Sequence, residues 1–167
     1  MRIMRVVLGL SLLLLTANAF GQKVTTNQAP NVNWSQYHTY AWGEGTPTKD
    51  PITSQKIVAA IDAQLAAKGF KKVDADPDLL VIYHASTDQQ KSLNWSSMGG
   101  WGRFGGMGSA QVDTVVTGQL IVDIADFKAK QFLWRGTATD SVSSDPQKLD
   151  KKIDKGLTKM FQKFPNS

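Results

Sequence analysis

The stretch Thr114-Val-Val-Thr-Gly-Gln-Leu-Ile-Val-Asp-Ile124 alternates apolar with polar or small residues, and Phe132-Leu-Trp-Arg-Gly-Thr-Ala-Thr139 repeats that alternation a few residues later. A period of two is typical of a β-strand with one buried face, because successive side chains of a strand point to opposite faces. The intervening residues 126–131 have the length of a hairpin loop. The two stretches are therefore predicted to be antiparallel neighbours in a sheet. One side of the second strand is predicted to carry Phe132, Trp134, Gly136 and Ala138.

Three more strands are predicted upstream of this hairpin. Residues His38-Thr-Tyr-Ala-Trp42 are β-branched or aromatic and are ended by Gly43, and Val24 to Thr26 form a candidate earlier strand. Leu79-Leu-Val-Ile-Tyr-His84 is a short, continuous apolar run that follows a turn-forming segment. Its length and branching favour a buried strand over a helix.

Two amphipathic helices are predicted, each beginning at an Asp-Pro pair. Asp50-Pro51 and Asp145-Pro146 supply a side-chain acceptor at the cap and a proline in the first turn, where its missing N–H does no harm. Gly69 is predicted to stop the first helix in the left-handed conformation, and the second is predicted to run to Phe164. The apolar positions of the first helix are Ile57, Val58, Ile61 and Leu65, and those of the second are Leu149, Ile153, Leu157, Met160, Phe161 and Phe164.

The order β-β-α-β-β-β-α predicts the α+β class: a single domain with an antiparallel sheet of about five strands and both helices packed on one face. The chain has 167 residues, of which 41% are hydrophobic and 20% are charged. That size and composition exclude a multi-domain enzyme and a polytopic membrane protein. The formal net charge is +5, and two of the basic residues, Arg2 and Arg5, lie in the leader described next. The rest of the chain carries too little positive charge to predict nucleic-acid binding.

The N-terminal residues 1–21 are predicted to be a secretory signal peptide. Arg2 and Arg5 precede the apolar run Val6 to Leu15, and Ala17-Asn-Ala19 supplies small residues for cleavage after Ala19, with Gly21 as the other candidate. Residues 22–167 then form the mature domain, with no transmembrane segment. The sequence contains no cysteine, so neither a disulfide nor a lipid on a cysteine is expected. The predicted location is the periplasm, with peripheral association with the outer membrane left open.

Four motifs give the chain a resemblance to a known family. They are Trp34-Ser-Gln-Tyr-His-Thr-Tyr-Ala-Trp42, Pro77-Asp-Leu-Leu-Val-Ile-Tyr83, Gly118-Gln-Leu-Ile-Val-Asp123 with Asp126, and Leu133-Trp-Arg-Gly-Thr-Ala138. In this order they resemble a bacterial envelope family catalogued as domain of unknown function 4136. Most members are predicted lipoproteins, so the missing cysteine is a departure, as is Asn33-Trp34 where the family has Asp-Phe. The resemblance implies the fold and the compartment, and it supplies no catalytic residues.

No catalytic, cofactor-binding or metal-binding set is predicted. Gly100-Trp-Gly-Arg-Phe-Gly105 matches the dinucleotide fingerprint in letters, but no strand precedes it and no helix follows. Asp74-Ala-Asp-Pro-Asp78 has the carboxylate spacing of a calcium loop, but that loop's required glycine and glutamate positions hold other residues. His38 and His84 are the two histidines and Glu44 is the single glutamate, too few for acid–base chemistry.

Two candidate interaction elements remain. The first is a glycine-rich loop at 98–108, whose exposed rings and cation suit a glycan, a protein or a membrane interface. The second is a lysine-rich face of the last helix, opposite its apolar arc, which suits anionic lipid head groups. Counting about 100° per residue places on this face Lys148, Lys151, Lys152, Lys155, Lys159 and Lys163. The candidate residues are Trp95, Trp101, Arg103 and Phe104 in and beside the loop, and Lys151, Lys155 and Lys159 on the helix.

The sequence thus predicts an exported cell-envelope protein that acts as a non-enzymatic binding or structural module of the periplasm. The alternatives are a glycan-binding or anionic-lipid-binding module that uses the loop aromatics and the lysine face and, less favoured, a hydrolase. A solvated, purely solubilising role for the lysine face also stays open. The partner is an unknown envelope protein, a glycan or an anionic lipid surface.

Overall fold

The structure is a computed structural model that describes residues 22–94 and 111–166. Within those ranges two helices and six strands follow one another, so the α+β class is confirmed. The predicted signal peptide and the predicted glycine-rich loop at 98–108 lie outside the described residues. The elements are β1 (Lys23–Gln28), β2 (Thr39–Trp42), α1 (Pro51–Ala67), β3 (Lys71–Lys72), β4 (Leu79–Asn94), β5 (Gln111–Asp126), β6 (Phe132–Ser141) and α2 (Pro146–Phe161).

The sheet has the strand order β1-β6-β5-β4-β2-β3. Neighbours from β1 to β4 are antiparallel, but β2 runs parallel to both β4 and β3. The prediction of a five-stranded antiparallel sheet was therefore wrong in strand count and in the direction of β2. The connection between β2 and β4 contains α1. Parallel strands need a long crossover of this kind, because the chain must return to the end of the sheet at which the first strand began. The missed strand, β3, is a pair of lysines with no apolar alternation to reveal it.

The hairpin of β4 and β5 is longer than its apolar sequence predicted. Each strand has 16 residues, and their pairing runs from Leu79 opposite Asp126 to Asn94 opposite Gln111. The prediction ended the first strand at His84, where the apolar run stops. Beyond the core, residues 86–89 are exposed, so backbone pairing continues the strand with polar side chains.

Both helices begin as their Asp-Pro pairs predicted. The Asp50 side chain accepts hydrogen bonds from the backbone N–H groups of Ile52 and Thr53 at 3.2 and 3.0 Å, and Asp145 caps α2 in the same way. Gly69 follows α1 with a φ of 93°, a conformation that favours glycine. The second helix ends at Phe161 instead of Phe164, which lies in a following turn.

The core lies between one face of the sheet and the two helices, as predicted. Its fully buried side chains come from α1, β2, β4, β5, β6 and α2, and the largest is Trp134. Phe132 was predicted on the same side as Trp134 but is 60% exposed. A register shift between Ile124 and Ala125 inserts an extra residue on β6 and places Phe132 opposite Ala125, which removes it from the core side.

The opposite face of the sheet carries one buried charge. Asp123 is 1% exposed, and its two carboxylate oxygens accept hydrogen bonds from Nε and Nη2 of Arg135 at 2.5 and 2.8 Å. The two residues are direct cross-strand partners on β5 and β6. A bidentate pair of this kind supplies hydrogen-bond donors to both oxygens of the buried carboxylate and fixes the relative register of the strands.

Candidate functional site

A cleft of about 570 Å³ is lined by the N-terminal part of α1, by residues 149–156 of α2, by the middle of β4 and β5 and by the C-terminal end of β6. Small-molecule pockets typically measure about 300–1,000 Å³, so this cleft has the size of a binding site. Its lining combines apolar residues with residues that carry hydroxyl, amide or charged groups. The apolar lining residues include Ile57, Ala85, Leu120, Ala138, Leu149 and Ile153, and the polar ones include Thr48, Lys49, Ser86, Thr87, Gln119 and Ser141.

The cleft owes its depth to small residues where larger ones would fill the space. Ala85, Gly118, Ala138 and Gly156 all line it, on three strands and on α2. The apolar side chains of the lining come from the same strands and helices that build the core. Because α1 is capped beside the cleft, its first turn lines the cleft without burying unpaired backbone groups.

One charged cluster forms part of the cleft wall. The ammonium of Lys152 donates to the Asp140 carboxylate at 3.0 Å, to the Ser141 hydroxyl at 2.7 Å and to the Ser141 carbonyl at 2.8 Å. Burial opposes ionisation of Asp140, but the hydrogen bonds from Lys152 and Ser141 outweigh it and lower the pKa of that carboxyl. All three donors of the ammonium are engaged. Lys152 therefore acts as a charged clamp between α2 and β6, and not as a base for the neighbouring serine.

Two carboxylates, Asp78 and Asp126, stabilise the end of the sheet where β4 begins and β5 ends. Asp78 accepts the backbone N–H groups of His38 and Thr39, both at 2.9 Å, and Asp126 accepts the Tyr37 hydroxyl at 2.9 Å. The hydrogen bond from His38, with those from Thr39, lowers the pKa of Asp78 despite partial burial. The hydrogen bond from the Ala129 N–H does the same for Asp126, and burial with the Asp126 contact raises the pKa of Tyr37. These bonds tie the segment before β2 to β4 and β5.

The lowered pKa values predict a stability that is lost in acid. A carboxyl whose folded pKa is depressed contributes stability above its unfolded pKa, about 3.9 for Asp, and that contribution is lost as the pH falls through the folded value. Thermal unfolding should therefore show a falling melting temperature below about pH 4. Asp78→Asn should destabilise the protein at about pH 7 and much less at about pH 3, whereas Asp74→Asn, at an exposed turn position, should change neither. Parallel curves for wild type and Asp78→Asn at all pH values would contradict this.

The three lysines predicted as site residues lie outside the cleft. Lys151 and Lys155 are exposed on α2 and Lys159 is half-buried, and none of the three lines the cleft. Helical counting also places Lys152 on the lysine-rich face. Its ammonium instead hydrogen-bonds to Asp140 and Ser141. The four aromatic and cationic loop candidates, Trp95, Trp101, Arg103 and Phe104, lie outside the described residues.

The two histidines have different surroundings. His84 Nδ1 is 3.0 Å from the Thr46 hydroxyl, and His38 is exposed before β2. Over residues 22–94 and 111–166, no three His, Cys, Asp or Glu side chains are grouped so as to hold a metal ion. In the same ranges no helix is long and apolar enough to cross a membrane.

The fold and the cleft together define a small α+β domain with an open sheet and a pocket between the sheet and the helices. The DUF4136 family, described as a domain of unknown function, matches residues 24–166, and the chain belongs to this family. The sequence resemblance is thereby confirmed over almost the whole described region. No curated protein matches the chain in sequence.

Solved structures share the fold at low sequence identity. A PDZ domain protein from Parabacteroides distasonis matches with a TM-score of 0.56 and 17% identity over 87% of this chain, which spans 36% of that protein. The PelC dodecamer from Paraburkholderia phytofirmans gives 0.55 and 12% over 88% of this chain and 99% of that one. The lipoprotein GNA1162 from Neisseria meningitidis gives 0.43 and 11%, over 75% and 99% of the two chains. At these identities the first two likenesses show the fold alone.

Proposed function

We propose that the protein is an exported component of the bacterial cell envelope that binds a ligand without transforming it. The cleft between the sheet and the helices is the proposed site, and an apolar or amphiphilic small molecule is the proposed ligand. The observation that carries the proposal is an open cavity of about 570 Å³ whose lining surface is mainly apolar. Such a surface gains free energy when an apolar ligand removes it from water.

The charges around the cleft support binding over catalysis. Asp50 is committed to capping α1, and Lys152 and Asp140 are committed to each other. Catalysis needs an acid, base or nucleophile whose protons are free to move at a reacting atom. Hydrogen bonds occupy these cleft groups instead. Export is supported by the basic, apolar and small-residue order of the first 21 residues.

The cleft proposal is tested with N-phenyl-1-naphthylamine, a neutral apolar dye whose fluorescence rises on leaving water. The protein should bind the dye saturably, with roughly one site per chain. Ala85 lines the cleft, so Ala85→Trp should fill the cavity and weaken binding by about tenfold or more, or about 1.4 kcal/mol. The matched control is Thr137→Trp, a half-buried position on the other face of the sheet, which should leave binding unchanged.

Two results would contradict the cleft as the binding site. One is dye binding that is equal in wild type and Ala85→Trp, with both proteins folded by circular dichroism. The other is an equal loss of binding in the Thr137→Trp control, which would indicate a general effect of an added ring. If the dye binds in the cleft, displacement of the bound dye by free fatty acids or other envelope lipids would identify the class of ligand.

The lysine face of α2 is a second candidate binding surface. In the part of the chain that the structure describes, Lys151, Lys155 and Lys159 form no ion pair, although Asp150 and Asp154 lie on the same helix. Successive lysines four residues apart repel one another slightly, so helix stability does not account for the row. An anionic lipid surface would neutralise it. The glycan alternative rests on loop residues outside the described ranges and stays a prediction.

A further inference from the structure

Among residues 22–94 and 111–166, the strand β1 has a neighbour on one side only. It is the terminal strand of the order, paired with β6, and its other edge is open in this part of the chain. The N–H of Ala29 donates to the carbonyl of Leu133 at 2.8 Å, and those two residues continue the β1–β6 register. Hydrogen-bonded and non-hydrogen-bonded pairs alternate along an antiparallel ladder. The odd positions 23, 25 and 27 therefore bond to β6, and the backbone groups of Val24, Thr26 and Gln28 point to the free edge.

The two edges of the sheet differ in how they are protected. At the far edge, β3 consists of two residues, Lys71 and Lys72, and a short strand of lysines blocks pairing with another chain. The β1 edge has six residues, Lys-Val-Thr-Thr-Asn-Gln, with one lysine at its end and no proline. It is regular, rich in β-branched residues and free of the features that discourage strand addition.

The helix α2 runs beside β1 and brings positive charge to this edge. A Cβ at Gly156 would lie 2.8 Å from the side chain of Gln22, which also donates to the Lys152 carbonyl at 2.7 Å. Further along, α2 reaches Gly136, the residue opposite Thr26. The helix thus advances along β1 in the same direction.

Two lysines follow towards the end of that helix. Lys159 comes seven residues, or about two turns, after Lys152, so it lies on the β1 side of α2. Lys163 lies in the turn that follows the helix. Neither forms an ion pair among the described residues. Lys23 adds an exposed positive charge at the start of β1, on the face of the sheet away from Val24 and the core.

We propose that the β1 edge binds an extended, acidic segment of a partner protein, which adds a seventh strand to the sheet. The free N–H and C=O groups of Val24, Thr26 and Gln28 supply the backbone hydrogen bonds of such strand addition. Alternate side chains of an added strand fall on the helix side, where carboxylates meet Lys159 and Lys163. This inference is independent of the cleft, because none of these five residues lines it.

Charge also argues against a second copy of the chain as the occupant. Pairing two β1 strands about a two-fold axis would place the lysines of two α2 helices beside each other. Like charges at that distance repel, whereas an acidic strand without a helix over it neutralises them. The partner is thus defined by two properties, an extended conformation and carboxylates at every second position.

The experiment uses a capped peptide of alternating glutamate and valine, as long as β1, with a lysine–valine peptide as its opposite. The acidic peptide should bind the mature protein and slow hydrogen exchange at Val24, Thr26 and Gln28, whereas the odd positions change little. Thr26→Pro removes a donor from the free edge only and should abolish binding with little change in melting temperature. Lys159→Gln with Lys163→Gln should weaken binding about tenfold and lower its salt dependence.

The matched control is Lys151→Gln with Lys155→Gln, which removes the same charge from the outer side of α2 and should leave peptide binding near wild type. Equal binding of both peptides, or no protection at the even positions, would overturn the proposal. So would a wild-type dimer that Thr26→Pro disperses, because a second copy would then occupy the edge. Vesicles of phosphatidylglycerol form a third arm. Binding to them that depends on Lys151 and Lys155 but not on Thr26, with no peptide binding, would assign the lysines to a lipid surface instead.

Discussion

Replacing Phe164 with alanine should lower the free energy of unfolding by about 3–5 kcal/mol. Phe164 is 2% exposed, and its ring centroid lies 5.0 Å from those of both Trp34 and Trp134. The rings of Phe161 and Phe70 lie 5.5 and 5.6 Å away. One side chain therefore joins the segment before β2, the end of α1, the strand β6 and α2. Truncation removes burial and leaves a cavity among four aromatic rings that are too rigid to collapse into it.

Chemical denaturation with urea measures this loss, and the chain offers a matched control. Phe132→Ala deletes the same atoms from a side chain that is 60% exposed, so it should cost about 1 kcal/mol or less. The denaturant slopes of the three proteins should agree if their native states bury similar surface. Similar losses for Phe164→Ala and Phe132→Ala would show that the aromatic cluster does not hold the fold together.

Gly136→Ala should destabilise the protein by about 1–3 kcal/mol or more, although alanine adds only one methyl group. A Cβ at this position would overlap the Met160 side chain and the edge of the Trp134 ring. Gly136 is buried on β6 at the point where α2 packs most closely on the sheet. Either the helix must move away or two packed side chains must leave their preferred rotamers.

A double-mutant cycle separates this steric cause from the backbone preference of glycine. In a Met160→Ala background only the overlap with the Trp134 ring remains, so Gly136→Ala should cost at least about 1 kcal/mol less than in wild type. Thr137→Ala lies on the opposite face of β6 and should change the free energy of unfolding no more than a typical substitution at a half-buried site. A cost for Gly136→Ala that is the same in both backgrounds would contradict the overlap with Met160.

Local chemistry allowed most of the elements to be predicted from the sequence. Asp50-Pro51 and Gly69 bound α1 because caps and left-handed stops act within a few residues. The β5–β6 hairpin was predicted by alternation, which records a buried face. By contrast, Lys71 and Lys72 carry no such record, since they form a strand only because β2 lies beside them.

The register shift at Ile124 and the direction of β2 were missed for a related reason. Alternation shows which residues share a face but not where an extra residue interrupts it, so Phe132 was placed on the wrong side. The helix between β2 and β4 did carry the signal for a parallel pair, because parallel strands need a long crossover. The direction of β2 could therefore be predicted from the length of the connection that follows it, and not from the residues of the strands.

The candidate cleft could be predicted only in part. The two caps, Asp50 and Asp145, were identified, but nothing in the chain says that they open on the same side of the same strands. The small residues Ala85 and Ala138 read as ordinary strand positions until β4, β5 and β6 are assembled. The same holds for Lys152, which helical counting places with exposed lysines because its partner Asp140 is distant in sequence.

The pairing of β1 with β6 has a consequence for the order in which the molecule assembles. Lys23 lies opposite Thr139 and Gln28 lies opposite Trp134, so the first strand of the domain closes a loop that contains nearly all the rest of it. Contacts so distant in sequence form late, because closing such a long loop costs conformational entropy before the contacts can stabilise the fold. A growing or emerging chain therefore carries its first strand unpaired until the last third has appeared. During that interval the strand is exposed along both edges to any chaperone or wrong partner nearby.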